Sequence, residues 1–330
     1  MKEIHRFPEP QKNKKFFEVK KMVEVKEIRS VKLAPFTLMS SSIHAILAFI
    51  AAIITLIMFG IMAAFIPQAS VFGSIITSTG AALLIISPIA AFFIYLAVSF
   101  FSILLYNGLV PRLGGIKLGL EKNEVAHVPV VSFALILAVI EAIWAFIIGL
   151  FLAAAVAPVI AALSSSIPVV SQAIANATNA TGAMIPTGQA VAAGGIILAI
   201  ILIIGLPIMA FIAGFIGNAL AAIFYNYIAT RVSKIELNFD AVTGSWKNLT
   251  SIPVVPAAIS VSIVFAIFGF LRGLGDLASL SANGNVSGGV GSLIVSTVGY
   301  FIAYFIITAL IAIFYNVLAP RIGAVKLEIE

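Results

Sequence analysis

Glu141 is the one acidic residue set deep inside an apolar run of this 330-residue chain. A carboxyl there is a candidate proton or cation site, because an ionisable group left unpaired among apolar neighbours costs at least a few kcal/mol. It lies twelve residues past Pro129, which is about 18 Å along a helix. His44, nine residues past Pro35, and Asn218, eight residues before Asn226, fall at comparable depth. His44, Glu141 and Asn218 could therefore form one hydrogen-bonded cluster. The plainer reading is a neutral, protonated Glu141 bonded to a neighbouring helix.

A second constellation is headed by Tyr106, Tyr225 and Tyr315, each followed by Asn. Seven residues earlier stand Ser99, Asn218 and Thr308, and eleven earlier Tyr95, Gly214 and Tyr304. Eighteen earlier stand Pro88, Pro207 and Thr297. Offsets of about 7, 11 and 18 return to nearly one face of a helix, so three helices each carry a sparse stripe of polar or small residues. One reading is polar glue, with interhelical hydrogen bonds contributing roughly 0.6–2 kcal/mol each. The sharper reading is a conduit along a shared axis, for which so few polar groups per level are meagre. Arg112, Arg231 and Arg321 follow the Asn residues by five positions. They suit snorkelling toward phosphates, or would bind anionic lipid or gate an anion path.

Catalytic chemistry has no foothold. Cysteine is absent and the three histidines are scattered at 5, 44 and 127, so no metal site is expected. No zinc-protease, phosphate-loop, nucleophile-elbow or dinucleotide fingerprint occurs. Neither enzymatic activity nor a cofactor is expected.

The elements that must position these residues follow from hydropathy. The chain is 62% hydrophobic and 10% charged, with mean hydropathy +1.17. Six apolar runs, roughly 37–66, 81–110, 130–157, 194–228, 254–272 and 292–319, are each long enough to span a bilayer. The tract that begins with Tyr-Asn recurs at 105–118, 224–237 and 314–327 and each time closes an apolar stretch. That predicts a threefold internal repeat: a basic tail 1–24, then units 25–121, 122–238 with a long outer loop 158–193, and 239–330. Two helices per unit return the chain to one side, so the repeats are parallel. Each unit opens with a strand-like run ending at Pro35, Pro129 or Pro253 and closes with a short alternating run. Pro111 and Pro320 are expected to end helices, with Gly114, Gly115 and Gly323 freeing the turn.

The fold class expected is a mainly α integral membrane protein, six helices in pseudo-threefold array, under a cytoplasmic β cap. Residues 116–121 and 124–130 pattern as one hairpin, and 234–239 with 247–254 as a second. Pairing the last strand, 324–330, with the first, 23–33, would remove free edges and give a six-stranded cap or small barrel.

Charge sets the orientation. Ten of nineteen cations lie in residues 1–35 and eight follow the second, fourth and sixth apolar runs, leaving Arg272 alone elsewhere. The positive-inside rule places both termini in the cytoplasm of a cell-membrane protein. Sequons at Asn176, Asn179 and Asn285 then face outward, and Asn248 inward. Arg272 and Asp276, one turn apart, are expected to form an exposed ion pair. The basic tail suits anionic lipid headgroups, and no folded basic module suggests nucleic acid.

The closing tract resembles an uncharacterised two-helix transmembrane family of actinobacteria and archaea. Tyr106-Asn107 with Gly114-Gly115-Ile116-Lys117 matches its pattern best, whereas Ser233-Lys234 and Gly323-Ala324 depart at the glycine pair. The resemblance implies a membrane role without an assigned activity, in this chain as three fused units. The function expected is a non-enzymatic scaffold or accessory subunit with a membrane-protein partner; the alternative is a passive pore or transporter along the polar stripes.

Overall fold

The computed structural model describes residues 23–65, 70–166, 172 and 195–330. The basic tail before residue 23, and most of the expected outer loop with Asn176 and Asn179, lie outside the described residues. The order is β1 (Glu24–Val31), α1 (Leu33–Phe65), α2 (Ser70–Leu113), β2 (Ile116–Glu121), β3 (Glu124–His127) and α3 (Val130–Ser166). Next come α4 (Gly195–Val232), β4 (Asn238–Ala241), β5 (Trp246–Ser251), α5 (Val254–Ala282), α6 (Val286–Ile322) and β6 (Val325–Ile329). The protein is mainly helical, and these six helices are long and apolar enough to cross a membrane. Helix α4 contains two π-helical turns, Ile201–Gly205 and Tyr225–Ala229.

The helices pack as three sequential pairs, α1 with α2, α3 with α4 and α5 with α6, and much more sparsely between pairs. Glycine brings the backbones close. At Gly269 and Gly273 a β-carbon would stand 2.6 Å from the Ser296 carbonyl oxygen and from Leu293 Cα, the close approach that small residues four apart permit. Gly149 does the same against the Leu202 carbonyl, inside the first π turn. Apolar side chains cover the outside: Ile94, Phe151, Ile204 and Val295 are all more than half exposed.

All six strands join one antiparallel sheet of order β3-β2-β1-β6-β5-β4. As expected, the first and last strands pair, with Val31 opposite Leu327. The first hairpin also forms, Glu121 opposite Glu124, around Lys122 at φ 58°. The second is shorter than expected, starting at Asn238 and ending at Ser251. The sheet is not closed into a barrel. Between β3 and the approach to β4 the ladder reduces to one bridge, Glu124 to Glu236. Two main-chain bonds flank it, Val125 N to Ile235 O and Leu237 N to Asn123 O, both 2.8 Å. β3 is four residues long because Pro129, which has no N–H to donate, stands just beyond it.

The main core lies where helices meet sheet. Val31, Met39, Ile43, Ile103, Tyr106, Ile136 and Tyr315 are buried together there, and a smaller cluster gathers Leu120, Val125, Tyr225, Ala229 and Val264. The prolines behave differently from expectation. Pro35 sits in the first turn of α1 instead of closing β1, a position that needs no N–H. Pro111 and Pro320 lie inside the last turns of α2 and α6. It is Gly114 (φ 78°) and Gly323 (φ 99°) that turn the chain out of those helices, in a left-handed conformation that glycine adopts without a steric penalty. The second copy lacks that glycine: Ser233 leaves α4 extended at φ −153°, directly after the second π turn and Thr230–Val232.

Candidate functional site

Three tyrosines organise the helix–sheet junction. Tyr106 Oη donates to Ile28 O at 2.5 Å and accepts from Ile116 N at 3.0 Å. Tyr225 repeats this with Val125 O at 2.6 Å and Ile235 N at 3.0 Å, and Tyr315 with Leu249 O at 2.5 Å and Val325 N at 3.2 Å. Each hydroxyl thus joins the strand that enters a helix pair to the one that leaves it. Ile28–Ile116 and Leu249–Val325 are also end pairs of continuous ladders. Val125 and Ile235 lie instead at the open junction of the sheet.

The adjacent asparagines do a second job that the sequence reading left unexplained. Asn107 Nδ2 donates to Val31 O and its Oδ1 accepts from Val31 N, both at 2.9 Å. Asn226 holds Val128, and Asn316 holds Ile252, with the same bond pair at 2.8 Å. A primary amide offers one donor and one acceptor side by side. It therefore stands in for a neighbouring strand and satisfies the last residue before the helix turns away. A Tyr-Asn pair at the end of an apolar helix, ten residues before a strand, was the available signal.

The asparagine-bonded residues supply a better register than the prolines. Counted from Val31, Val128 and Ile252, the thirteenth residue is His44, Glu141 and Phe265 in turn. Each faces the residue eleven positions before its tyrosine. His44 stacks on Tyr95 with centroids 3.5 Å apart, and Phe265 on Tyr304 at 3.6 Å. Glu141 lies over Gly214, where any β-carbon would collide with the carboxyl. Where two pairs hold stacked rings, the middle pair holds a carboxyl on a glycine.

The expected His44–Glu141–Asn218 cluster is brought together in part. Asn218 Nδ2 donates to Glu141 Oε1 at 3.0 Å. His44 belongs to another helix pair, its Nδ1 2.8 Å from Ser40 O. In the polar stripe, Ser99 is buried and donates to Ser40 Oγ at 2.7 Å across α1 and α2. Thr308 is part-buried on α6. The three arginines each stand in the last turn of their helices. All are exposed; Arg112 donates to its own helix at Gly108 O, 3.0 Å, and Arg231 and Arg321 form no ion pair among the described residues. Arg272 and Asp276 are not paired either: Arg272 donates to Tyr300 Oη at 3.1 Å and Asp276 accepts from Ser292 Oγ at 2.7 Å. Asn285 caps α6 by accepting from Gly288 N, and Asn248 sits in β5.

Two cavities occupy corresponding seams between helix pairs. One, about 280 Å³, lies between α4 and α5 and is lined by Ala221, Tyr225, Val261, Val264 and Phe265. The other, about 300 Å³, lies between α6 and α1 and is lined by Ile311, Tyr315, Ser40, Ile43 and His44. Both are apolar. At the corresponding seam between α2 and α3, Trp144 Nε1 donates to Ser102 Oγ at 3.0 Å. Charge concentrates on the sheet instead. Lys234 Nζ is 2.8 Å from Glu121 and 2.9 Å from Glu124, and hydrogen bonds to Glu121 first and then Glu124 hold its ammonium above the usual lysine range. Among the described residues no group of three or more His, Asp or Glu is placed to hold a metal ion.

No family model, curated protein or solved structure matches this chain.

Proposed function

We propose that the protein is a non-enzymatic multi-pass membrane scaffold or accessory subunit, built from three fused two-helix units fastened by a cytoplasmic sheet. The repeat rests on the thrice-made Tyr-Asn bonding at Ile28/Val31, Val125/Val128 and Leu249/Ile252. The observation that carries the scaffold reading is where the polar stripe spends its hydrogen bonds. Ser99 bonds Ser40 and Asn218 bonds Glu141, each inside its own helix pair. Tyr95 and Tyr304 stack on ring partners of their own pairs. The three joint tyrosines are buried with their hydroxyls engaged. A wet conduit needs polar groups turned toward a common space with bonding capacity to spare, and this stripe is polar glue.

Broad, uncharged apolar faces and loosely joined helix pairs suit a partner in the bilayer. Arg112, Arg231 and Arg321, exposed at the helix ends near the sheet, suit anionic headgroups of the cytoplasmic leaflet. Two experiments test the reading. Purified protein in planar bilayers is expected to show no steady conductance; a conductance altered by Asn218→Leu would overturn the scaffold in favour of the pore. Mild-detergent purification from the native membrane is expected to bring down a stoichiometric membrane protein. Orientation is open to single-cysteine labelling, since the chain has no cysteine of its own.

A further inference from the structure

Glu141 is where the middle helix pair departs from the other two. Its partners at corresponding positions, His44 and Phe265, complete aromatic stacks. In the middle pair both members of the stack are exchanged together, ring for carboxyl and tyrosine for glycine. The exchange is matched in shape, because the carboxyl occupies the place a Gly214 side chain would fill. It is matched in bonding too, because Asn218 Nδ2 donates to Oε1 from one turn further along α4. Gly214 and Asn218 thus build a seat for one carboxyl in the first third of α3, about 17 Å from the start of that helix.

Among the described residues the elements packed on α3 place no cation in contact with the seat. Glu141 is the one ionisable residue of α3, and residues 195–224 of the facing helix contain none. Helix α2 brings Tyr95, stacked on His44, Tyr106, bonded to Ile28 and Ile116, and Arg112 at its far end, turned back on Gly108. Strand β2 brings Lys117 and Glu121 at the sheet. A single amide donor does not replace the hydration that a carboxylate loses in an apolar medium. Glu141 is also exposed, not sealed in the core, so in a bilayer an apolar reagent can reach it.

We propose that Glu141, seated on Gly214 and held by Asn218, is an exchangeable proton-binding carboxyl of the bilayer interior. This rests on the membrane-spanning reading of α3 and α4. The site carries a defined reactivity. The acid O–H adds across one C=N bond of an apolar carbodiimide: the proton goes to nitrogen and the carboxyl oxygen bonds the central carbon. The O-acylisourea then rearranges by oxygen-to-nitrogen acyl shift to a stable N-acylurea. Nothing leaves and nothing is oxidised or reduced.

The test uses the full chain in neutral phospholipid vesicles, treated with dicyclohexylcarbodiimide and mapped by peptide mass spectrometry. The expected result is an adduct on Glu141, lost in Glu141→Gln, falling several-fold in alkaline buffer and returning on reacidification. The glutamine variant is isosteric and keeps the Asn218 bond, so loss of the adduct does not reflect misfolding; circular dichroism and elution volume are expected to match the parent. An adduct that ignores pH would overturn exchange. No adduct with either the apolar reagent or a water-soluble carbodiimide plus amine would overturn the proton site and leave the spans standing. Labelling as fast with the water-soluble reagent would instead overturn the membrane placement.

Discussion

Removing one hydroxyl from the open junction of the sheet isolates what the tyrosine joint contributes. In Tyr225→Phe the ring stays and the oxygen goes, taking with it the donor to Val125 O (2.6 Å) and the acceptor for Ile235 N (3.0 Å). Tyr225 is 6% exposed, so water does not replace it without local opening. Each buried main-chain group left unpaired costs about 1–3 kcal/mol, and the two together about 2–6 kcal/mol. The loss falls where the sheet is weakest, since β3 meets the approach to β4 through one bridge and two main-chain bonds. Hydrogen exchange reads it locally. At about 1.4 kcal/mol per tenfold, the Ile235 amide should exchange at least roughly 30-fold faster than in the parent, under the same detergent and pH. Tyr315→Phe is the control: there β5 and β6 pair in register from Trp246 to Leu249. The amide of Val325 should accelerate less, by about 1–2 kcal/mol of local stability. Less than about threefold acceleration at Ile235 would refute the reasoning, as would equal effects at the two joints.

Other outcomes follow from the same geometry. Asn316→Asp keeps an acceptor for Ile252 N but sets a carboxylate against Ile252 O in place of a 2.8 Å donor; a loss of about 1–3 kcal/mol is expected by chemical denaturation. Lys234→Met should cost a similar ~1–3 kcal/mol, because Glu121, 12% exposed, loses its ammonium partner. Lys234 is raised in the fold by Glu121 and Glu124. Its stabilisation is therefore complete below the ordinary lysine value of about 10.4 and fades as pH rises through the higher folded value. A melting-temperature difference between parent and Lys234→Met that persists undiminished at the most alkaline pH would contradict this. Gly273→Leu forces α5 from α6, where Leu293 Cα already stands 2.6 Å from the β-carbon position; crosslinking between cysteines placed across that pair should fall sharply.

The six long apolar helices were legible because nothing competes with an apolar run of such length, and the pairing of first with last strand followed from the need to cover edges. The Tyr-Asn tract was legible as a joint between helix and strand. Its asparagine was not, because strand mimicry depends on which backbone faces the amide. The layer of His44, Glu141 and Phe265 was hidden by its landmark: Pro35 falls inside α1, whereas Pro129 and Pro253 precede α3 and α5. Counting from prolines therefore slips the first copy by three residues. The ring stacks, the seat at Gly214 and the π turns of α4 came from packing between helices, which no single run encodes. Barrel closure failed between β3 and the approach to β4, where the ladder reduces to the Glu124–Glu236 bridge and two flanking main-chain bonds.

The adjacency of β1 and β6 also has a consequence in time. Val31 lies opposite Leu327, and the ribosome makes the first nearly three hundred residues before the second. At about 5–20 residues per second, β1 waits roughly 15–60 s for its second neighbour. Through that interval β2 is, among the described residues, the one strand already made that pairs with it. The helix pairs must therefore be sorted and standing before the sheet can link them, and the last strand made is the one that locks the order.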